Sequence, residues 1–246
     1  MSMTLLLGDC LDIMSALPDQ SVDLVLCDLP YGTTQCKWDS VIPFAPLWEQ
    51  YRRLCKPNAP IVLTAAQPFT SALIASNFSQ YKHNWVWEKT QATGHLNAKR
   101  QPMRAHEDIV VFCHAAPTYF PQKTTGHPLK CATAAHKHAT RNGSGQTPCY
   151  GRSDKYVDYA STERYPRSVI TFPSDKQRVA LHPTQKPLAL FAYLVRTYSA
   201  PEGVVLDNCM GSGTTGMACQ QTGRHFVGIE RDPHYFEIAR TRLSSP

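Results

Sequence analysis

The stretch Val204-Val205-Leu206-Asp207-Asn208-Cys209-Met210-Gly211-Ser212-Gly213-Thr214-Thr215 is an apolar run that ends in a carboxylate, followed by a Gly-x-Gly turn and the start of a helical segment. A short apolar run bounded by a turn signal reads as a buried strand, and the glycines let a ligand approach the backbone. The segment Thr214–Thr222 continues as a helix, and Phe226–Glu230 follows as a second strand whose terminal acid lies seventeen residues after Gly213. Together these form one βαβ unit, with Glu230 placed where the two hydroxyls of a ribose need acceptors.

Such a unit can cradle a dinucleotide pyrophosphate or the methionine end of S-adenosylmethionine. The dinucleotide fingerprint is incomplete, because Thr214-Thr215 stand between Gly213 and Gly216. That points away from NAD.

The same rhythm runs outward through the chain. Strands are expected at Thr4–Leu7, Val22–Cys27, Pro60–Ala66, Tyr81–Glu88, Asp108–His114, Ser168–Phe172 and Gly203–Asp207. Helices are expected at Cys10–Leu17, Pro43–Cys55, Pro68–Asn77, Pro187–Ser199 and Pro233–Leu243. This alternation predicts an α/β, Rossmann-like sheet with helices on both faces. Between residues 115 and 165 the rhythm breaks at Pro117, Pro121, Gly126, Pro128, Gly143, Gly145, Pro148 and Gly151, so that region reads as an irregular insertion.

With 246 residues, 42% of them hydrophobic, the chain suits one α/β domain carrying such an insertion. Its net charge of +6 is uneven: residues 82–178 hold 15 Lys/Arg against 7 Asp/Glu, a net of +8. Nine cysteines at irregular spacing, with no Cys-x-x-Cys, favour reduced thiols over a disulfide framework. Met1–Leu7 lacks a basic leader region and no run is long enough to span a membrane, so a cytoplasmic protein is expected.

The strand Val22–Cys27 leads directly into Asp28-Leu29-Pro30-Tyr31-Gly32. In an α/β sheet ligands lie at the carboxyl ends of the strands, so this turn brings a carboxylate, a main-chain carbonyl, a rigid proline and an aromatic ring to the binding edge. The group suits an amino nitrogen on a nucleic-acid base, whose lone pair is delocalised into the ring. Held by two acceptors, Asp28 and the Leu29 carbonyl, such a nitrogen is drawn toward tetrahedral geometry and its growing positive charge is stabilised. Tyr31 is expected to stack on the face of the extruded base.

With this turn and the glycine turn in place, the sequence resembles the amino-methylating DNA methyltransferases, whose catalytic tetrapeptide is usually Asp-Pro-Pro-Tyr. The tetrapeptide precedes the glycine turn, which resembles the circularly permuted β group of that family. Gly8-Asp9-Cys10 is similar to the element that lies against the cofactor adenine, and His182-Pro183-Thr184-Gln185-Lys186-Pro187 to the one that helps hold the methionine part. Gly94–Glu107, with Asn97, Arg100, Pro102, Arg104 and His106, is similar to the loop that closes near the target base. Leu29 departs from the family's proline, but a main-chain carbonyl is supplied by leucine as well, with one restraint on φ fewer.

The resemblance implies S-adenosylmethionine as cofactor, double-stranded DNA as partner and adenine N6 as target, since serine in place of Asp28 marks the cytosine-N4 members. It implies catalytic roles for Asp28, Leu29, Pro30 and Tyr31. Cofactor contacts follow for Asp9, Cys10, Thr184, Lys186, Asp207, Cys209, Gly211, Gly213, Thr214, Thr215 and Glu230. It divides the chain into a catalytic half, 1–114, an inserted target-recognition region, 115–165, and a cofactor half, 166–246. Arg100, Arg104, Lys123, Lys130, Lys137, Arg141, Arg152 and Lys155 are the expected DNA contacts, the insert's cations being interleaved with aromatic residues such as Tyr119, Phe120 and Tyr150. Members of the group often pair through the catalytic half, which makes a homodimer one possible state and leaves the oligomeric state open; a partner restriction enzyme is not readable from the chain.

Five other readings compete. A glutamine or RNA methyltransferase is one, but those relatives tend to begin the tetrapeptide with Asn, and their cofactor turn usually comes first. Cytosine N4 uses the same chemistry and order of elements. C5-cytosine methylation needs a nucleophilic cysteine, and Pro148-Cys149 lies in the irregular insert. Cys113, His114, His127, Cys131, His136, His138 and Cys149 fall close together, but at spacings that suit zinc poorly, so no metal is expected. A catalytically weak DNA-binding protein on the same fold is the non-enzyme alternative.

Overall fold

The computed structural model describes residues 1–33, 39–133, 146–147, 151–152, 158–174 and 185–244. The chain divides into two compact units: Met1–Phe120 with Arg167–Pro246, and Pro121–Pro166.

In chain order the strands are β1 (Met3–Leu7), β2 (Leu24–Cys27), β3 (Ile61–Ala65), β4 (Tyr81–Thr93), β5 (Arg104–Phe112), β6 (Lys130–Ala132), β7 (Gln146–Thr147), β8 (Gly151–Arg152), β9 (Tyr159–Ser161), β10 (Val169–Phe172), β11 (Val204–Asp207) and β12 (His225–Glu230). The large unit is an eight-stranded sheet in the order β1-β12-β11-β2-β3-β5-β4-β10. Neighbours run parallel except at β5, which is antiparallel to both β3 and β4.

Alternation along each strand sends side chains to opposite faces, and both faces are apolar here. Val25, Cys27, Ile61 and Leu63 pack with the helices Cys10–Ala16, Phe44–Leu54 and Phe69–Ser76 on one face. Leu24, Leu26 and Val62 pack with Leu188–Tyr198, Thr214–Thr222 and Pro233–Ser244 on the other. The doubly wound α/β sheet expected from the rhythm is what the chain forms.

Strands from the two ends of the chain interleave. β11 lies against β2, with Val205 opposite Leu24 and Leu206 opposite Val25. From that pair the sheet continues to β12 on one side and β3 on the other. The crevice at the carboxyl ends of β2 and β11 is therefore the topological switch point, where a ligand is accommodated.

The hairpin of β4 and β5 is longer than its composition predicts. Apolar and aromatic content stops near Glu88 and begins again at Asp108, yet pairing continues through Trp87 with Glu107, Glu88 with His106 and, past an irregularity, Thr93 with Arg104. Backbone hydrogen bonds carry the ladder into polar sequence where no side-chain pattern announces it. Among the described residues no helix is long and apolar enough to cross a membrane.

The small unit pairs β6 with β9 and β7 with β8, both antiparallel. Arg164 ties its two ends together: its guanidinium donates to the carbonyls of Ser161 at 3.0 Å and Pro128 at 2.5 Å, and its backbone bridges to Thr124.

Candidate active site

A cavity of about 510 Å³ opens at the switch point, within the range of small-ligand sites. The acids that end β11 and β12 and the aspartate just past β2 all reach it: Asp207, Glu230 and Asp28.

Asp207 is 3% exposed. Its carboxylate accepts from the Thr215 hydroxyl at 2.5 Å and the Cys209 N–H at 3.1 Å. Burial raises its pKa to about 6 against the lowering pull of those donors. Glu230 accepts from the Gly211 N–H through one oxygen and the Asp232 N–H through the other, each at 2.9 Å, and burial raises its pKa as well. The Gly211 turn, with φ of +51°, is thereby fastened to the end of β12. From across the sheet the Tyr51 hydroxyl donates to Asn208 at 2.6 Å and holds the same turn from below.

Asp28 sits in a different setting. Its Oδ1 accepts from the Thr64 hydroxyl at 2.5 Å and the Tyr31 hydroxyl at 2.7 Å, and pairs as an ion with the Lys186 ammonium at 3.0 Å. Lys186 also donates to Glu107 Oε2 at 2.8 Å, and Lys89 lies 2.6 Å from Glu107 Oε1. Burial by itself would lower the pKa of Lys186, but Asp28, Tyr31 and Glu107 lift it well above the usual lysine range. Burial would raise Glu107, yet Lys186 and Lys89 hold it down to about 2. Among the described residues no donor reaches Asp28 Oδ2 or the Leu29 carbonyl.

The tetrapeptide is closed by Gly32, at φ of +67°, and by Asp39, whose two oxygens accept from the N–H groups of Gly32 and Thr33 at 2.8 and 3.0 Å. Tyr31 stacks on Phe69, with ring centroids 5.1 Å apart, and Lys186 Nζ lies 5.4 Å from its ring centre. The ring thus braces Asp28 through its hydroxyl and rests one face on Phe69 while still lining the cavity.

Asp28, Leu29, Pro30 and Tyr31 all line the cavity, as do Asp9, Cys10, Cys209, Gly211, Thr214 and Thr215. Gly213 does not: at φ of +78°, a Cβ there would meet Leu243 at 3.1 Å and Ala239 at 3.2 Å, so this glycine is needed for helix packing. Lys186 lines the cavity on the Asp28 side. Arg104 reaches the rim, and Arg100 is exposed beyond it. In the small unit Lys130 is exposed on β6, while Lys123 pairs with Glu163 at 2.9 Å and lies 5.0 Å from the centre of the Tyr165 ring. Arg152 is the last residue of β8. Thr184, Lys137, Arg141 and Lys155 lie outside the described residues. Among the described residues no three His, Cys, Asp or Glu side chains gather as metal ligands.

Thr64 and Lys89 escaped the sequence reading. A threonine inside Ile-Val-Leu-Thr-Ala is the one polar break in a buried strand, a local signal for Thr64. Lys89 carries no such signal, since its meaning depends on the register that sets β4 against β5.

The profile of the family described as DNA methylase (N6_N4_Mtase) matches residues 22–241. The Type II methyltransferase M.HpaI of Haemophilus parainfluenzae is 27% identical over 260 residues, spanning 100% of this chain and 75% of that protein. The Type II methyltransferase M1.MboII of Moraxella bovis is 28% identical over 254 residues, spanning 96% and 94%. Among solved structures, the M1.HpyAVI–SAM complex superposes with a TM-score of 0.66 at 23% identity, covering 98% of this chain and 100% of that one. The cytosine-N4-specific PvuII DNA methyltransferase gives 0.68 at 14% identity, covering 99% and 86%. These superpositions establish the shared fold.

Proposed function

The chain belongs to the DNA methylase family whose profile covers residues 22–241, and we propose that it transfers the methyl group of S-adenosylmethionine to the N6 amino nitrogen of an adenine turned out of a DNA duplex. One observation carries the reading of the site: Asp28 Oδ2 and the Leu29 carbonyl are consecutive open acceptors at the cavity. Two adjacent acceptors describe a site for an NH2 group, whose two N–H bonds need partners.

The cofactor is S-adenosylmethionine, as in the M1.HpyAVI complex, and the residues present fit it. Asp207 is a buried carboxylate whose partners among the described residues are a hydroxyl, an N–H and a thiol, none of them a cation. A ligand bearing a sulfonium and an ammonium supplies the missing positive charge. Glu230 would accept from the ribose hydroxyls, and Asp9 and Cys10 would border the adenine. Bound there, S-adenosylmethionine offers an electrophilic methyl carbon attached to positive sulfur.

Asp28 and Leu29 orient the target nitrogen and stabilise the positive charge that develops on it. As the nitrogen lone pair forms the C–N bond, the S–C bond pair stays with sulfur, and one N–H proton is lost to bulk solvent when the methylated base leaves the site. Excluding water from the cavity strengthens the Asp28 contribution. An acidic first residue in the tetrapeptide supports adenine over cytosine. The exposed cations Arg100, Arg104 and Lys130 supply phosphate or base contacts, with residues 115–165 as the region that selects the sequence.

Nucleoside analysis tests this directly. Duplex DNA of mixed sequence is incubated with the protein and isotopically labelled S-adenosylmethionine, then digested and separated. Label in N6-methyladenine is expected; label in N4-methylcytosine would retain the amino chemistry and overturn the choice of base, and label in 5-methylcytosine would overturn the mechanism.

A further inference from the structure

Four charged groups from four segments stand in alternating order across the floor of the amino site. Asp28 follows β2, Lys186 precedes the helix Leu188–Tyr198, Glu107 lies on β5 and Lys89 on β4. Successive members touch at 3.0, 2.8 and 2.6 Å. All of them line the cavity.

We propose that Lys186, Glu107 and Lys89 form a charge-alternating chain that positions Asp28 by its Oδ1 alone, reserving Oδ2 for the amino group to be methylated. The inference rests on the reading of this site as an amino-methylating one. It assigns Lys186 to the target side of the cavity instead of the cofactor side.

The partners of Lys186 support that assignment. Its ammonium donates to Glu107 at 2.8 Å and to the Tyr31 oxygen at 3.4 Å, and it forms an ion pair with Asp28 at 3.0 Å. All three partners belong to the Asp28 side of the cavity.

Alternation matters because the target nitrogen becomes cationic. Without Lys186, two carboxylates face one another in a desolvated site, and one of them takes up a proton. A proton on Asp28 turns an acceptor into a donor and ends its use. Without Glu107, two lysines stand unbalanced beside a developing positive charge. Each member therefore corrects the excess charge of the one before it, and Lys186, Glu107 and Lys89 are positioning residues that act through Asp28.

Among the described residues, the other titratable groups around this chain are Tyr31, Cys27 and Asp207, with His106 and Arg104 on the adjoining wall. Tyr31 is held well above its usual value and Cys27 up to about 12 by burial, so neither changes charge between pH 5 and 9. Asp207 does, at about 6. Saturating S-adenosylmethionine at every pH removes its titration from the rate. His106 and Arg104 are present in every variant.

The test is the pH profile of single-turnover methylation of duplex DNA by wild type, K186M, E107Q, K186M/E107Q and K89M, with S-adenosylmethionine affinity measured by calorimetry on each. K186M is expected to bind S-adenosylmethionine within about twofold of wild type, to methylate at least about tenfold more slowly at neutral pH, and to lose activity on the acid side at least about one pH unit earlier. Removing the second carboxylate in K186M/E107Q should move that acid limb back toward wild type. K89M leaves every contact of Asp28 in place and should shift the limb the same way as K186M by a smaller amount, which keeps the test alive if K186M does not fold. An acid limb in K186M or K89M that overlays wild type, a double variant with no recovery, or a K186M that loses S-adenosylmethionine more than about tenfold overturns the chain. A wild type that methylates no DNA base at any pH overturns the amino-site reading, and the chain with it; an active wild type with an unmoved limb overturns the chain alone.

Discussion

β2 and β11 are neighbouring parallel strands, and at the carboxyl end of each stands an aspartate on the same cavity, yet the two acids are prepared for opposite tasks. Asp28 is clamped at Oδ1 by a lysine and two hydroxyls. Asp207 is more deeply buried and is held by a hydroxyl and an N–H, with its pKa raised to about 6. A carboxylate that already has its cation is fixed in place and offers its spare oxygen to a neutral N–H. One that lacks a cation at a buried site is stabilised when a cationic ligand arrives. In this molecule a paired charge marks position and an unpaired one marks a place for something that binds.

The largest effect should come from breaking the paired side. Asp28→Ala removes the acceptor that faces the target nitrogen and should lower the single-turnover methylation rate by about 10²–10³-fold, the range for losing one charge-stabilising contact in a water-excluded site. S-adenosylmethionine affinity, measured by calorimetry, should be unchanged. Turnover near wild type would remove Asp28 from the mechanism.

Asp207→Asn makes the complementary change. It should weaken S-adenosylmethionine by about ten- to a hundredfold, the value of a hydrogen bond or contact to a charged group. The ligand-free protein should become more stable, because a carboxylate whose pKa is raised on folding opposes folding at neutral pH. A melting curve without ligand and a titration with it check the two halves of the expectation. If both fall together, Asp207 is structural and the contrast with Asp28 fails.

A milder form of the same change needs no mutation. The ordinary aspartate value is near 3.8, and the folded protein holds Asp207 at about 6. Below that pH the carboxylate is protonated and its attraction for a cation is lost. S-adenosylmethionine affinity should thus be level above pH 7 and decline as pH falls through 6, approaching about tenfold per pH unit. Glu107 has the reverse sign: its folded value is about 2, so its stabilising contribution is complete above its ordinary value near 4.5 and is lost as pH falls toward 2. Titrations at pH 5, 6, 7 and 8, with Asp207→Asn as the flat control, separate the two groups.

What could be read from the sequence was what is local. The strand ends, the glycine turn, the Asp28 turn and Glu230 are each specified within a few residues, and all fall on one cavity because parallel strands deliver their carboxyl ends to the same edge. The partners of Asp28 could not be read this way. Lys186 and Glu107 are 79 residues apart in the chain, and only the sheet order brings them together. Gly213 illustrates a second limit: a Gly-x-Gly turn looks the same whether its second glycine makes room for a ligand or for Leu243. Tyr31 illustrates a third: the sequence places an aromatic ring beside an active-site acid, but only the fold sets its hydroxyl on Asp28 and one face on Phe69.

The smallest effect tests whether the rule drawn from the two aspartates extends to cations in the unit Pro121–Pro166. Lys123 is paired with Glu163 and lies near the ring of Tyr165. Lys130 is exposed on β6 with no carboxylate within reach among the described residues. A lysine that releases a counterion from a phosphate contributes about 0.9 to the log–log slope of DNA affinity against salt, whereas one that must first leave a carboxylate contributes less. Lys130→Ala should accordingly flatten the slope by about one unit and weaken all DNA sequences alike, by a few-fold at moderate salt. Lys123→Ala should change the slope by well under half of that. Fluorescence anisotropy of a labelled duplex at four or five salt concentrations gives both slopes. Equal losses from the two substitutions would show that pairing in the free protein does not predict which charges meet DNA, and the rule would then hold only for the buried acids of the large unit, where desolvation makes an unpaired charge costly; a loss confined to Lys130 would extend it to the solvated surface, where the contact with Glu163 alone sets Lys123 apart from Lys130.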